Sequence, residues 1–262
     1  MKKYLAYLRC GFLDGCAYRQ YFITGMLANF IQAVVLFFVW KSIFNYQEVI
    51  NGYTWEIMKQ YVFVSFLCNS IFSMGFEMDA AERIIKWDII LDLLKPVSYR
   101  AMLFFRMLGT AGMEFAATFV LVGGIYLFVN GIQYLDFFRT VLFFIALLMG
   151  MGVKFCIQYL FSLMCFYTDN AYGVSKARET LTNFFSGALV PLAMFPGILR
   201  EAVNFLPFRG IVYTPCCIFI GFFSIRESIF NILLQLVWIA VLGGLGTLLG
   251  KKAFSVISMY GG

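Results

Sequence analysis

FRTVLFFIALLMGMGVKFCIQYLFSLMCFY (residues 138–167) carries only two charged side chains, Arg139 and Lys154. A bilayer crossing needs about 20 predominantly apolar residues, so this stretch reads as a transmembrane helix. Comparable runs lie at 21–43, 57–76, 101–129, 181–196 and 230–250. The whole chain agrees: 62% of its 262 residues are apolar or aromatic and 13% are charged, at a mean hydropathy of +0.84. Soluble domains hold about 45–50% apolar and about 25% charged residues. A 30.0 kDa globule lacks the interior to hide that much apolar surface, so the excess faces lipid. The expected fold class is an all-α membrane protein of six transmembrane helices, one domain over 1–262.

The N-terminal MKKYLAYLRCGFLDGCAYRQ (1–20) mixes Lys2, Lys3, Arg9 and Arg19 with Leu, Tyr and Phe. It has neither the unbroken apolar stretch nor the small-residue cleavage site of a signal peptide. An amphipathic elbow helix on the membrane surface is expected ahead of the first span. With that end inside, thirteen of the twenty Lys and Arg fall on the inner side and six on the outer. The bias places both termini in the cytoplasm. Tyr46, Tyr53 and Trp55 at the outer interface, with Tyr167 and Tyr172 at the inner one, suit an aromatic belt.

Two connections depart from an otherwise tight design. The cytoplasmic loop FEMDAAERIIKWDIILDLLKPVSYR (76–100) is the most charged stretch in the chain. Ile84, Ile85, Ile89 and Leu93 recur near helical spacing, with Glu82, Arg83, Lys86, Asp88 and Asp92 between them and Pro96 ending the run. The pattern predicts a short amphipathic helix over 79–96, either a connector along the head groups or a docking helix for a cytoplasmic partner. The second connection, 197–228 with its approach, holds four of the five prolines: Pro191, Pro196, Pro207 and Pro215. Each removes a backbone donor within apolar surroundings. A broken span followed by a re-entrant outer segment is expected there, lining an outer gate or sealing the bundle as a lid.

Charges inside spans are costly and default to functional candidates. Glu114 lies about 15 residues and Lys154 about 16 from the connection between spans three and four, roughly level in depth. The two are expected to pair, with Gln158 one turn beyond Lys154 as a further polar candidate. The pair reads as a pin between spans or as a substrate contact. Gly246 and Gly250 have GxxxG spacing and suit close helix packing.

Other classes are harder to build. The chain has no histidine, which removes imidazole-based triads and HExxH zinc sites. Its seven cysteines are odd in number and lie mostly in apolar runs, so they read as buried hydrophobes rather than disulfides or metal ligands. No GxxxxGK[ST] phosphate loop is present.

The order of several motifs carries a resemblance: KKYLAYLR and AYR (17–19), DIILDLLKPVSYR, FFSGALVPLAMFP, LPF (206–208), Thr214-Pro215, QLVW (235–238), then a basic patch and Gly-Gly. Together these resemble the membrane subunits of ABC-2 type exporters, small six-span permeases that work with an ATPase and a second permease. The resemblance implies a transport subunit of the bacterial cytoplasmic (inner) membrane that is not itself an enzyme, driven by two copies of an ATPase that holds ATP-Mg. It implies a second permease, more readily a distinct paralogue than a second copy, and an amphipathic or hydrophobic substrate. No nucleic-acid partner is expected. It also assigns the 79–96 helix as the coupling helix, with Ile85, Trp87 and Ile89 buried against the ATPase. Glu82, Arg83, Lys86 and Asp88 would orient it, and Pro96 would end it. Relatives commonly place glycine before the isoleucine-leucine run, where this chain has Lys86-Trp87-Asp88; Trp87 is expected to fill a groove rather than make a tight turn.

Two other classes are weighed against this. An intramembrane lipid-modifying enzyme lacks a histidine and a paired-carboxylate site, since Asp79 and Glu82 read as helix-surface charges. An ATP-independent secondary transporter would show inverted repeats and more ionisable residues deep in its spans.

Overall fold

The computed structural model describes residues 2–17, 19–70, 76–118, 120, 136–168 and 170–260. α1 (Lys2–Ala17) leads into α2 (Arg19–Phe44), a hairpin of β1 (Val49–Ile50) and β2 (Tyr53–Thr54), and α3 (Trp55–Ser70). Two short helices, α4 (Glu77–Ile85) and α5 (Ile89–Leu93), precede α6 (Tyr99–Thr118) and α7 (Phe137–Met164). α8 (Ala171–Phe185), the short α9 (Gly197–Phe205) and α10 (Tyr213–Phe219), and the long α11 (Ile225–Tyr260) follow.

Among the described residues, three helices are long and apolar enough to cross a membrane: Ile23–Phe44, Phe137–Met164 and Ile225–Ser255. Of the spans expected at 57–76 and 101–129, the described parts are helical as α3 and α6; residues 71–75, 119 and 121–135 lie outside the described residues. The span expected at 181–196 is corrected. α8 stops at Phe185 and, at about 22 Å, is shorter than the roughly 30 Å hydrocarbon layer. Gly187 takes φ +84°, a left-handed turn that glycine adopts without steric cost. Phe195, restricted by Pro196, is extended at φ −71°, ψ 145°. The carbonyls freed at the break are claimed by other elements: Tyr213 N–H donates to Ser186 O (2.9 Å) and Tyr61 Oη–H to Gly187 O (2.7 Å).

α7 is the centre of the bundle. It is apolar around most of its circumference and mostly buried, as a helix without a polar face must be, and it packs on α11, α10, α8 and α4. Asp136 caps its start by accepting from Phe138 N–H (3.0 Å). α6 meets α7 through long side chains, Phe104 on Phe155 (5.0 Å between centroids) and Phe115 on Phe144 (6.1 Å). Gly246 and Gly250 of α11 lie against Tyr159 of α7. α2, by contrast, leaves Leu27, Ile31, Val35 and Phe38 exposed, an apolar stripe that no other described residue covers.

The expected N-terminal helix forms as α1, with Leu5, Phe12 and Leu13 exposed and Gly11 and Gly15 buried. α1 lies along α6 in the most extensive helix contact among the described residues. The approach is so close that a Cβ on Gly11 would run into the Arg106 carbonyl and one on Gly109 into the Leu8 carbonyl. The four prolines break less than expected. Pro191 and Pro196 stand just ahead of helical turns, Pro207 opens one, and Pro215 is the third residue of α10. Their missing N–H groups would have had no partner within the helix at those positions.

The bundle has two distinguishable ends. At the hairpin end, Asn51-Gly52 turns β1 into β2 with both φ positive (48° and 84°). Tyr53 stacks on Phe222 at 4.5 Å between centroids. Tyr53 is therefore fully buried rather than part of an interfacial belt, while Tyr46, Tyr167 and Tyr172 are exposed. At the other end, the loop end, α4 and α5 pack beneath α6, α7 and α8.

Candidate functional site

The loop end carries the segment expected to couple to a partner, and the structure redraws it. One helix over 79–96 is replaced by two. α4 starts on Glu77 and Asp79 and ends on Arg83, charges that suit its dipole. Trp87 then takes φ +64°, the left-handed position after a helix that glycine usually fills, with its N–H bonded to Ile84 O at 3.1 Å. Trp87 thus makes the tight turn after all. The chain then restarts as α5, and Asp92 holds the two helices together. Its buried carboxylate accepts from Arg83 Nε (2.7 Å) and Lys95 Nζ (2.6 Å). The hydrogen bond to Asp92 is the main reason the Arg83 guanidinium is held above its usual pKa.

The turn changes which apolar residues face outward. Ile89 is fully buried in the cluster with Tyr99, Met102 and Phe155, so it is not available to a partner, and Ile85 is half-buried against the same cluster. Trp87 (46% exposed), Ile90, Leu91 (62%) and Leu94 (77%) present the open apolar surface. Glu82, Lys86, Asp88 and Pro96 are exposed around it, with Lys86 paired to Glu82 at 3.1 Å. Reading a single helical period through 84–93 missed Ile90, Leu91 and Leu94, because the left-handed residue resets the phase of the helix.

Inside the bundle, a cavity of about 420 Å³ opens between α2, α3, α4, α7 and α8. Lys154 and Gln158 of α7 are on its wall, both at least nine-tenths buried. Glu114 of α6 is fully buried and acts electrostatically on Lys154 without lining the cavity. The wall also holds residues that sequence reasoning passed over. Glu77, on α4, accepts from Arg178 Nη2 and from Ser175 Oγ (2.6 Å), both on α8. Arg178 and Glu77 are both buried. The available signal was the polar side of 175–183, Ser175, Arg178, Glu179, Thr182 and Asn183, which a hydropathy window folds into a neighbouring apolar run.

Three proline residues named as gate candidates, Pro191, Pro207 and Pro215, are buried, and Pro196 is exposed. Pro207 lies beside a second polar node at the hairpin end. Gln235 Nε2 donates to Ala146 O (3.0 Å) and Gly210 O (2.6 Å), and Arg209 donates to Asn231 Oδ1 (2.7 Å) and Asn204 O (2.9 Å). These bonds tie the 197–219 segment to α7 and α11.

None of the curated proteins compared with the chain matches it. A protein-family model, described as ABC-2 family transporter protein, matches residues 30–256. That match runs from within α2 through almost all of α11, and takes in the loop-end segment and the cavity wall apart from Thr24, Gly25, Ala28 and Asn29. The chain belongs to the ABC-2 transporter family and is a membrane permease of that type.

Proposed function

We propose that the chain is the membrane subunit of an ATP-driven exporter, moving an amphipathic or hydrophobic substrate across a bacterial cytoplasmic membrane. It spans the membrane six times, the fifth crossing made by α8 together with the broken stretch after Phe185 rather than by one continuous helix, with both termini in the cytoplasm, so the loop end is cytoplasmic and the 197–228 segment dips back from the outer face as a gate. Two ATPase subunits hold ATP-Mg and dock at α4–α5, and a distinct second permease covers the open stripe of α2. One observation supports this reading above the others. The α4–α5 segment carries exposed Trp87, Leu91 and Leu94 outward, and through Glu77 it forms part of the cavity wall inward. Displacing the segment from outside would therefore move a charged group of the interior.

The test is co-purification of the ATPase with two Trp87 variants. Trp87→Gly relieves a left-handed backbone that costs a non-glycine residue about 1–2 kcal/mol, so the fold is kept or slightly stabilised. Trp87→Ala keeps that strain. Loss of a buried interface tryptophan costs about 2 kcal/mol or more, so both variants should lose at least tenfold in ATPase association. Retention of the ATPase by Trp87→Gly would show that Trp87 serves the turn alone, and a chain purified without any ATPase would refute the reading. The buried Glu114 and Lys154 favour a second reading, an ion-coupled transporter. Transport that persists with a hydrolysis-dead ATPase would select it.

A further inference from the structure

The cavity is of a size that takes small molecules, but its chemistry is unusual for one. Five amide side chains converge on it, Asn29, Gln32, Asn69, Gln158 and Asn183, from α2, α3, α7 and α8. Its charges are balanced. Lys154 and Arg178 stand on the wall with Glu77 and Glu179, Arg178 is bonded to Glu77, and Glu179 is bonded to Lys176 at 3.0 Å. A lone anion or a lone cation would upset that balance, whereas a ligand bearing both charges meets a counterpart for each. Hydrogen-bonding capacity is also left over in the wall residues: Glu77 Oε2, Arg178 Nε and Thr182 Oγ1 are buried with no partner among the described residues. Finally, α2 lines the cavity with Thr24, Asn29 and Gln32 while exposing Leu27 and Ile31 beside them. A polar head in the cavity can continue into an apolar tail along the same helix.

We propose that this cavity binds a zwitterionic head group, one ammonium and one phosphate or carboxylate, of an amphipathic molecule. That the bound molecule is cargo rests on the permease reading; that it binds does not. The cavity belongs to one subunit, and α4 reaches it through Glu77, so movement at the loop end acts on the bound head directly.

The test uses the purified transporter in nanodiscs holding equal phosphatidylethanolamine and phosphatidylglycerol with identical acyl chains, and measures retained lipid by native mass spectrometry. The expected result is about tenfold preference for phosphatidylethanolamine, falling to parity in Gln158→Leu/Thr182→Val, as the loss of two hydrogen bonds predicts. Thr182→Val alone removes a hydroxyl without a partner among the described residues, so it should leave thermal stability unchanged or raised while still lowering the preference. Parity in the wild type, or an undiminished preference in the double variant, overturns the proposal. Glycerophosphoethanolamine, which lacks tails, distinguishes the sources. If it displaces the lipid, the head group alone is sufficient and a soluble zwitterion fits. If it does not while the preference stands, the ligand is the intact lipid. ATPase co-purification from the same sample separates the readings: selectivity without ATPase sinks the exporter, and ATPase without selectivity sinks the site.

Discussion

The two ends of the bundle are held together by different chemistry. At the loop end, ion pairs join separate elements: Arg83 with Asp92, Arg106 with Asp14 of α1 and with Asp79 of α4, and Arg178 with Glu77. At the hairpin end the ion pairs Lys59–Glu56 and Arg139–Asp136 are local, three residues apart. The long-range ties there are neutral-acceptor hydrogen bonds and stacked rings, from Gln235, Asn51, Tyr61 and Tyr53. Coulomb attraction falls slowly with distance and tolerates shifted geometry, whereas a hydrogen bond weakens steeply once distance or angle departs from ideal. The loop end is thus built to re-form after displacement, and the hairpin end to hold one arrangement. That division suits a machine driven from one side.

The sharpest way to break the comparison is at Arg178. Arg178→Met leaves the Glu77 carboxylate buried without its cation, at a cost of about 3–5 kcal/mol. Glu77→Gln/Arg178→Met should recover most of it, read as the thermal midpoint in detergent. Gly109→Val comes next. It forces α1 off α6, and overpacking of about 3 kcal/mol should appear as a lower yield of monodisperse protein. Gln235→Leu tests the other end: the Gly210 carbonyl loses its Gln235 donor and the Ala146 carbonyl keeps only its helical one, for about 1–3 kcal/mol, and the loss should be the same in low and high salt. The smallest effect belongs to Asp79→Asn. Its half-exposed pair with Arg106 is worth roughly 0.2–1 kcal/mol, and 1 M salt should erase the difference from wild type. Hydrogen exchange that accelerated equally at both ends on adding salt would remove the distinction.

The Glu114–Lys154 relation gives a further test of how depth was read. Counting residues from one connection placed the two level, and the structure puts Glu114 within electrostatic reach of Lys154. Glu114→Gln and Lys154→Met made singly should each destabilise more than the double variant; strictly additive losses in thermal midpoint would show that they do not act as a pair.

Much of the architecture was legible because lipid imposes it. Apolar length alone marked α2, α7 and α11, since a crossing helix must satisfy its backbone internally and show apolar side chains outward. The charged 76–100 loop was legible for the opposite reason, as charges concentrate where water is. Local period failed wherever a single residue changed the backbone's direction. Trp87 turned one amphipathic helix into two and exchanged Ile89 for Leu91 and Leu94 on the outer face. Gly187, two residues past the end of α8, turns the chain within a stretch that hydropathy reads as one span.

What the sequence by itself determined is the solvent of each segment: which stretches belong in lipid, which in water, and which family of transporters the chain belongs to. Only the tertiary structure decided which polar groups share a cavity. Glu77, Arg178 and Lys154 come from three elements, up to about a hundred residues apart, and nothing in their local patterns links them. Their meeting is a product of helix packing, and a buried charge takes its partner from whatever packing brings within reach.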